Sequence, residues 1–480
     1  MAKISPAFVE HISQQLTDPS QLQQLIDYCH KPLRKSIRVN TLKTSVEQFF
    51  QDWTNAGFEL IPIPWCKEGF WIDESVKPLP AGLGNFLPHL QGSYYIQEAS
   101  SMLPVTALFH ACSSPDMVLD VAAAPGSKTT QIAANMDNQG LIVANELSSS
   151  RLKGLFSNIQ RCGVRNVCLT HADGRIFGDK AESTFDAILL DAPCGGEGTV
   201  RKDEDALQDW NIDSVNAMAH LQKELILSAF RALKPGGTLV YSTCTLSFEE
   251  NQQVCKFLLE HFSEQASVVS LDSLFEGAQK AVTAEGYLHV YPHIFDSEGF
   301  FVACFKKTDP VCDKAATPES IDSRFPFTPI DKKSYSDLRN YCSSLGWNIE
   351  SIQSQIWLRK NELWYFPKGI ERLIGKVKMD RMGVKIAESH KSGFRLQHQA
   401  VIAFAKQFSI DNKCFSLTEE QAVEYYQGKD IFADNLSNLN KGEIIIKHND
   451  IVLGLGKNLG NKLKNSLPRE LVRDNPFSQL

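Results

Sequence analysis

A chain of 480 residues exceeds one ordinary domain and divides into two to four. Its 43% hydrophobic content comes without an apolar run long enough to span a bilayer, and the opening Met1-Ala-Lys-Ile-Ser-Pro6 lacks the apolar core of a secretion signal. The net charge of −7 is unevenly placed: residues 1–330 carry 26 Lys+Arg against 39 Asp+Glu, and residues 331–480 carry 23 against 17. A basic C-terminal third beside an acidic core fits an appended module that approaches phosphate. The 12 cysteines show no Cys-x-x-Cys pair and no paired Cys/His spacing, so neither a metal site nor a disulfide framework is expected. Most of them, Cys29, Cys112, Cys168 and Cys304 among them, read as small core hydrophobes in a protein of the reducing cytoplasm.

In chain order, residues 1–110 form a mixed extension with a basic segment from Lys31 to Lys43. Residues 111–307 alternate short apolar strands with amphipathic stretches, the pattern of a doubly wound α/β sheet. Strands are predicted at 118–121, 141–145, 167–169, 187–190 and 238–241, with two more near 288–291 and 300–305. The last two have no long helix between them, which predicts an antiparallel final strand. Residues 308–330, with Pro310, Pro318, Pro326 and Pro329, have linker composition. Residues 331–382 read as a small mixed α/β unit and residues 383–480 as a β-rich domain.

The segment Leu119-Asp-Val-Ala-Ala-Ala-Pro-Gly-Ser-Lys-Thr-Thr130 is a strand, a turn of small residues, then a helix. Small side chains at Ala122, Ala123, Ala124, Pro125 and Gly126 let backbone approach a ligand, and Ser127 is placed to cap the helix that carries Lys128. Neither the dinucleotide-binding glycine pattern nor a Walker lysine is present. Glu146 follows the next strand and suits a ribose diol, and Asp173 follows the third and suits an adenine amino group. A nucleoside cofactor without a pyrophosphate points to S-adenosylmethionine.

Two further strands each end in a cysteine, Cys194 in Asp191-Ala-Pro-Cys194 and Cys244 in Ser242-Thr-Cys-Thr245. A helix predicted over 213–233 makes those strands neighbours joined by a crossover, so both thiols face one pocket. A thiolate that adds to carbon 6 of cytosine turns carbon 5 into an enamine carbon able to attack a methyl sulfonium. Asp191 is placed to hydrogen-bond the base edge at ring nitrogen 3. Three readings follow from the residues: a cytosine-5 methyltransferase, an S-adenosylmethionine enzyme acting on an amine or a protein side chain, and a non-catalytic RNA-binding assembly factor. The two thiols favour the first.

The Asp-Ala-Pro-Cys and Ser-Thr-Cys-Thr pair resembles the NOL1/NOP2/Sun family of RNA 5-methylcytosine methyltransferases. Arg38-Val-Asn-Thr-Leu42, Gln97-Glu-Ala-Ser-Ser-Met102 and Glu298-Gly-Phe-Phe-Val-Ala303 extend that resemblance across residues 30–307. It implies a Rossmann-like, seven-stranded S-adenosylmethionine-dependent core, with Cys244 as nucleophile and Cys194 assisting product release. In DNA cytosine enzymes the proline-cysteine thiol attacks instead, so the roles rest on the resemblance. It also implies cofactor contacts at Ala122 to Lys128, Glu146, Asp173 and Asp191, and a PUA-like RNA-binding domain at the C-terminus. The length and appended domains resemble bacterial members that act on small-subunit 16S ribosomal RNA in the decoding region; transfer RNA is the alternative substrate. Nothing in the chain suggests an obligate partner, so a monomer is expected.

Overall fold

The computed structural model describes residues 2–477 apart from 17, 80–81, 309–324, 392 and 409–413. Near the N-terminus, β1 (Ser36–Val39), β2 (Glu59–Ile63), β3 (Cys66–Asp73) and β4 (Tyr94–Ile96) form an antiparallel sheet in the order β2-β3-β1-β4. Helix Val46–Asn55 closes its core, burying Phe49 and Trp53 on the face set by their four-residue spacing.

The central sheet is built from β5 (Met117–Asp120), β6 (Leu141–Asn145), β7 (Val167–Thr170), β8 (Phe185–Asp191), β9 (Leu233–Thr243), β10 (Ala266–Val269), β11 (Leu288–Val290) and β12 (Phe300–Lys307). The order is β10-β12-β9-β8-β5-β6-β7, with β11 paired to β12. Strands β5 to β9 are parallel, and β12 runs antiparallel to β9, as its lack of a crossover helix predicts. Every residue of β5, β6 and β7 is buried, which is why these strands are continuous apolar runs rather than alternating ones. Helix Ile212–Ala232 is the crossover between β8 and β9. Because β5 has β6 on one side and β8 on the other, the chain reverses its direction of travel there. A crevice opens at the strand ends of such a switch point.

The C-terminal chain forms two smaller sheets. The first holds β13 (Thr328–Pro329), β14 (Ile356–Arg359), β15 (Glu362–Tyr365), β17 (Val384–His390) and β18 (Gly393–Leu396). The second holds β19 (Cys414–Leu417), β20 (Gly442–His448), β21 (Ile451–Asn458) and β22 (Leu463–Asn465), with the hairpin β20–β21 at its centre. Between β15 and β17 in sequence, β16 (Met379–Met382) leaves its own unit and adds antiparallel to β7, becoming an edge strand of the central sheet. The 382/383 division drawn from the sequence therefore falls between β16 and β17, and β17 pairs with β15 in the first small sheet. Of the expected linker, 309–324 lie outside the described residues, whereas Phe325 and Phe327 pack against Trp357 and Phe366.

The far end of the chain returns to the N-terminal sheet. Phe477 stacks on Phe86 at 5.2 Å and its carbonyl accepts the Leu87 N–H, while the Tyr426 hydroxyl donates to the Leu90 carbonyl. Among the described residues no helix is long and apolar enough to cross a membrane.

Candidate active site

The cofactor half of the crevice lies at the ends of β5, β6 and β7. After β5 the chain turns through Ala122–Gly126, where Ala124-Pro125 is cis and Gly126 takes a φ of +105°. A Cβ on Gly126 would sit 2.9 Å from Leu155 Cδ1, so both the backbone angle and the space demand glycine. The expected Ser127 cap is not formed: Gly126 is the N-cap, without a side-chain bond, and Ser127 is the first residue of helix Ser127–Asn135. The left-handed turn already sets the helix entry and moves the serine one position inside.

Glu146 is almost wholly buried at the end of β6. Its Oε1 accepts the Ser148 N–H at 2.8 Å, and its Oε2 has no hydrogen-bond partner. That oxygen, buried beside a turn of small residues and paired only at 3.6 Å with the exposed Arg151 guanidinium, is a fit for the hydroxyls of a bound ribose. Asp120 is a second such group, one the sequence reading did not single out. Its Oδ2 accepts the Thr129 hydroxyl at 2.6 Å, Oδ1 is unpartnered, and burial pushes its carboxyl up to about 7. Asp173 sits where the third strand predicts, but its carboxylate is engaged by Arg175 at 2.6 Å, which holds it below the usual carboxylate range. These residues fit S-adenosylmethionine: Glu146 and Asp173 would hold the nucleoside, and the turn from Ala122 to Lys128 would lie against the rest of the cofactor.

The second half lies at the ends of β8 and β9. Asp191 is in register with Ser242 across these strands, and its Oδ1 accepts the Ser242 hydroxyl at 2.7 Å. Its Oδ2 pairs at 2.7 Å with Lys128 Nζ, which also donates to Ser101 Oγ at 3.0 Å. Burial works to lower the Lys128 ammonium, but Asp191 outweighs it and leaves the group above its ordinary value. Lys128 thus belongs to both halves.

The two thiols meet. Cys194 Sγ lies 3.2 Å from Cys244 Sγ, and the Cys244 N–H donates to Cys194 Sγ at 3.3 Å. The hydrogen bond to Cys244, reinforced by burial, pushes the Cys194 thiol well above its ordinary value. Both causes favour the protonated form of Cys194.

Carboxylates that sequence reasoning missed fasten these loops. Glu197 accepts the N–H groups of Leu246 and Ser247 at 2.8 Å each, the Ser247 hydroxyl at 2.5 Å and Trp210 Nε1–H at 2.6 Å. It binds the Cys194 loop to the Cys244 loop. Behind it, the Gly198 N–H donates to the Cys244 carbonyl, and a Cβ on Gly198 would lie 2.1 Å from the Gly299 carbonyl. In Gly195-Gly-Glu197 a short acidic loop reads as solvated, and only the fold shows which donors converge on it.

The motif residues of the N-terminal extension join the same centre. Arg38 is buried, donating to Gln97 Oε1 at 2.9 Å, to the Ser127 carbonyl at 3.1 Å and to Thr130 Oγ1 at 2.8 Å. It ties the first sheet to the cofactor helix. Glu98 accepts the Glu298 N–H at 3.1 Å, and burial, with Glu98 beside it, pushes the Glu298 carboxyl up to about 8.

A Rossmann-like sheet, a nucleoside-fitting turn and carboxylate, and a basic C-terminal arm define an S-adenosylmethionine-dependent methyltransferase with S-adenosylmethionine as cofactor. The chain belongs to the 16S rRNA methyltransferase RsmB/F family, whose model matches residues 107–306. Models for the N-terminal domain of 16S rRNA methyltransferase RsmF, for the pre-PUA domain of ribosomal RNA small subunit methyltransferase F and for the methyltransferase RsmF PUA domain match residues 4–99, 327–404 and 412–473. The chain is 50% identical over 469 residues to ribosomal RNA small subunit methyltransferase F of Escherichia coli O81 (strain ED1a), covering 98% of this chain and 96% of the relative. The protein of that name from Vibrio parahaemolyticus is 51% identical over 478 residues, with 98% of each covered. A solved methyltransferase homolog from Pyrococcus horikoshii has a TM-score of 0.52 at 32% identity, over 63% of this chain and 100% of its own. NSun6 from Pyrococcus horikoshii, solved with the S-adenosylmethionine analogue SFG, has a TM-score of 0.55 at 25% identity, over 64% of this chain and 99% of its own.

Proposed function

We propose that this protein methylates carbon 5 of a cytosine in 16S ribosomal RNA, in the decoding region that the family resemblance implies, through a covalent adduct to Cys244. The observation that carries the reading is the pair of thiols 3.2 Å apart at the adjoining ends of β8 and β9, beside the cofactor turn; the choice of Cys244 as the attacking sulfur rests on the family resemblance. The small-subunit ribosomal RNA substrate is supported by the names of the relatives and by the match to a PUA domain at the C-terminus.

In this mechanism the Cys244 thiolate adds to carbon 6, forming a carbon–sulfur bond and driving electron density into the ring toward nitrogen 3 and carbon 5. Nitrogen 3 takes up a proton from solvent as the thiolate adds and loses it when the ring re-forms; while it is protonated, Asp191, fixed by Lys128 and Ser242, accepts its hydrogen bond and holds the ring in the pocket. S-adenosylmethionine, when bound, supplies the electrophilic methyl group that carbon 5 attacks. A base then removes the proton from carbon 5, the carbon–carbon double bond re-forms, and the bond to Cys244 breaks with the electron pair returning to sulfur. The Cys194 S–H, directed at that sulfur, stabilises the departing thiolate. The base must leave its stack to reach Cys244.

The domain arrangement we assign follows the C-terminal sheets: a unit ending near residue 404 and a final RNA-binding domain from about residue 412. Cys194→Ala and Cys244→Ala proteins, incubated with 16S RNA and S-adenosylmethionine and run on a denaturing gel, test the mechanism. Cys194→Ala is expected to accumulate a covalent RNA adduct and Cys244→Ala to form none. An adduct in Cys244→Ala would reverse the roles. Full methylation by both variants would exclude covalent catalysis.

A further inference from the structure

Glu250 is wholly buried just beyond the Cys244 loop, and the mechanism above gives it no part. Its Oε2 accepts the Gly195 N–H at 2.9 Å and the Gln222 Nε2–H at 2.7 Å, and its Oε1 accepts the Thr245 hydroxyl at 3.3 Å. Gly195 follows Cys194 and Thr245 follows Cys244, so one carboxylate is tied to the chain next to each thiol. Gln222, on the helix between β8 and β9, also donates to the Pro193 carbonyl at 2.9 Å and locks the carboxylate to the Cys194 loop.

The charges around the thiols are not symmetric. The negative charge of Glu250 opposes ionisation of Cys194, whereas the ammonium of Lys128 and a Cys244 thiolate favour one another. Backbone donors pull the other way: the N–H groups of Cys244 and Gly196 both favour negative charge on Cys194. The remaining ionisable groups facing this centre are Glu197 across the loop, Asp191 neutralised by Lys128, and the Tyr241 hydroxyl, which donates to the Glu250 carbonyl at 2.5 Å.

We propose that Glu250 is a positioning residue that sorts the thiol pair: its buried charge keeps the proton on Cys194, so that Cys244 is the sulfur that ionises and attacks. This rests on the thiol roles given above and adds a buried charge to the sulfur contact and burial that already act on Cys194. Burial pushes the Glu250 carboxyl up to about 7, so it is charged above that pH and neutral below it, and the sorting strengthens as pH rises through neutrality.

The test uses the full-length protein without RNA and iodoacetamide as probe. Alkylation rates at Cys194 and Cys244 are read by peptide mass spectrometry across the pH range in which thiols titrate. Glu250→Gln is compared with the natural protein, and again in a Cys244→Ala background where Cys194 is followed alone. Cys244 should ionise first in the natural protein. In Glu250→Gln the Cys194 midpoint should fall by about one pH unit, roughly tenfold more thiolate at fixed pH. Glu250→Asp, which keeps the charge but withdraws it by a methylene, should lie between the two. A folded Glu250→Gln protein with an unmoved Cys194 midpoint overturns the proposal. If only the Asp variant folds, a Cys194 midpoint at or above the natural one does the same. Ionisation of Cys194 before Cys244 in the natural protein would instead overturn the thiol roles themselves.

Discussion

Substituting Glu197 by Gln tests whether the thiol geometry is held by a carboxylate clamp. In the native loop one carboxylate accepts four donors: the amides of Leu246 and Ser247, the Ser247 hydroxyl and the Trp210 indole. Glutamine keeps one acceptor oxygen for the two amides but loses their charge assistance, about 1 kcal/mol for each bond. Its amide nitrogen then faces the indole N–H, donor against donor, and a buried unsatisfied donor costs about 1–3 kcal/mol. The Ser247 hydroxyl can rotate to accept, so it adds little. The sum is about 3–5 kcal/mol, a large share of the roughly 5–15 kcal/mol that holds a domain folded. For a catalytic domain of this size that is a fall in melting temperature of about 6–20 °C. Differential scanning calorimetry of the full chain, with adduct formation on RNA measured below the transition, reads both effects. The methylation rate should fall with the melting temperature, because the Cys244 loop loses its anchor to the Cys194 loop. A shift below about 1 °C with a natural rate of adduct formation would refute the clamp.

Gly198→Ala should give a poorly soluble or inactive protein, since the new Cβ would lie 2.1 Å from the Gly299 carbonyl and neither backbone can retreat cheaply; a natural melting curve would contradict this. Glu146→Ala should weaken S-adenosylmethionine binding by roughly 10- to 150-fold in calorimetry without RNA, the range for losing hydrogen bonds to a charged group; unchanged affinity would place the ribose elsewhere. Gln substitution of the exposed Arg372, Lys378, Lys391 and Arg395 together should lower RNA affinity and flatten its salt dependence, by up to about 0.7–0.9 in slope for each phosphate no longer neutralised. An unaltered slope would take the RNA path off this face.

Deleting the basic C-terminal third would be a poor substitute for those charge changes. The charge split suggested a separable arm, yet β16 completes the catalytic sheet at β7 and Phe477 seals Phe86. Truncation would strip a sheet edge and open the N-terminal core. Nor is every cation between Lys368 and Arg395 free for RNA: Lys385 is held between Glu362 and Glu388. Among the aromatics of the same stretch, Tyr365 and Phe366 are core residues, while Trp364 and Phe394 remain half-buried.

The amino-acid sequence by itself determined the parallel strands β5 to β9, the antiparallel β12 and the approach of Cys194 to Cys244. Each follows from local chemistry: a doubly buried strand must be an unbroken apolar run, and a helix between two such runs must carry the chain back across the sheet. Only the tertiary structure decided what surrounds the thiols. Glu197 and Glu250 are ordinary acidic loop residues until contacts from distant strands and helices bury them, and nothing local marks an amide some fifty residues away as their partner. Met379-Asp-Arg-Met382 is too polar to read as a strand, and it becomes one because the open edge of β7 offers it hydrogen bonds. Apolar period is written along the chain; the pairing of a buried charge is settled by which donors the fold brings within reach of it.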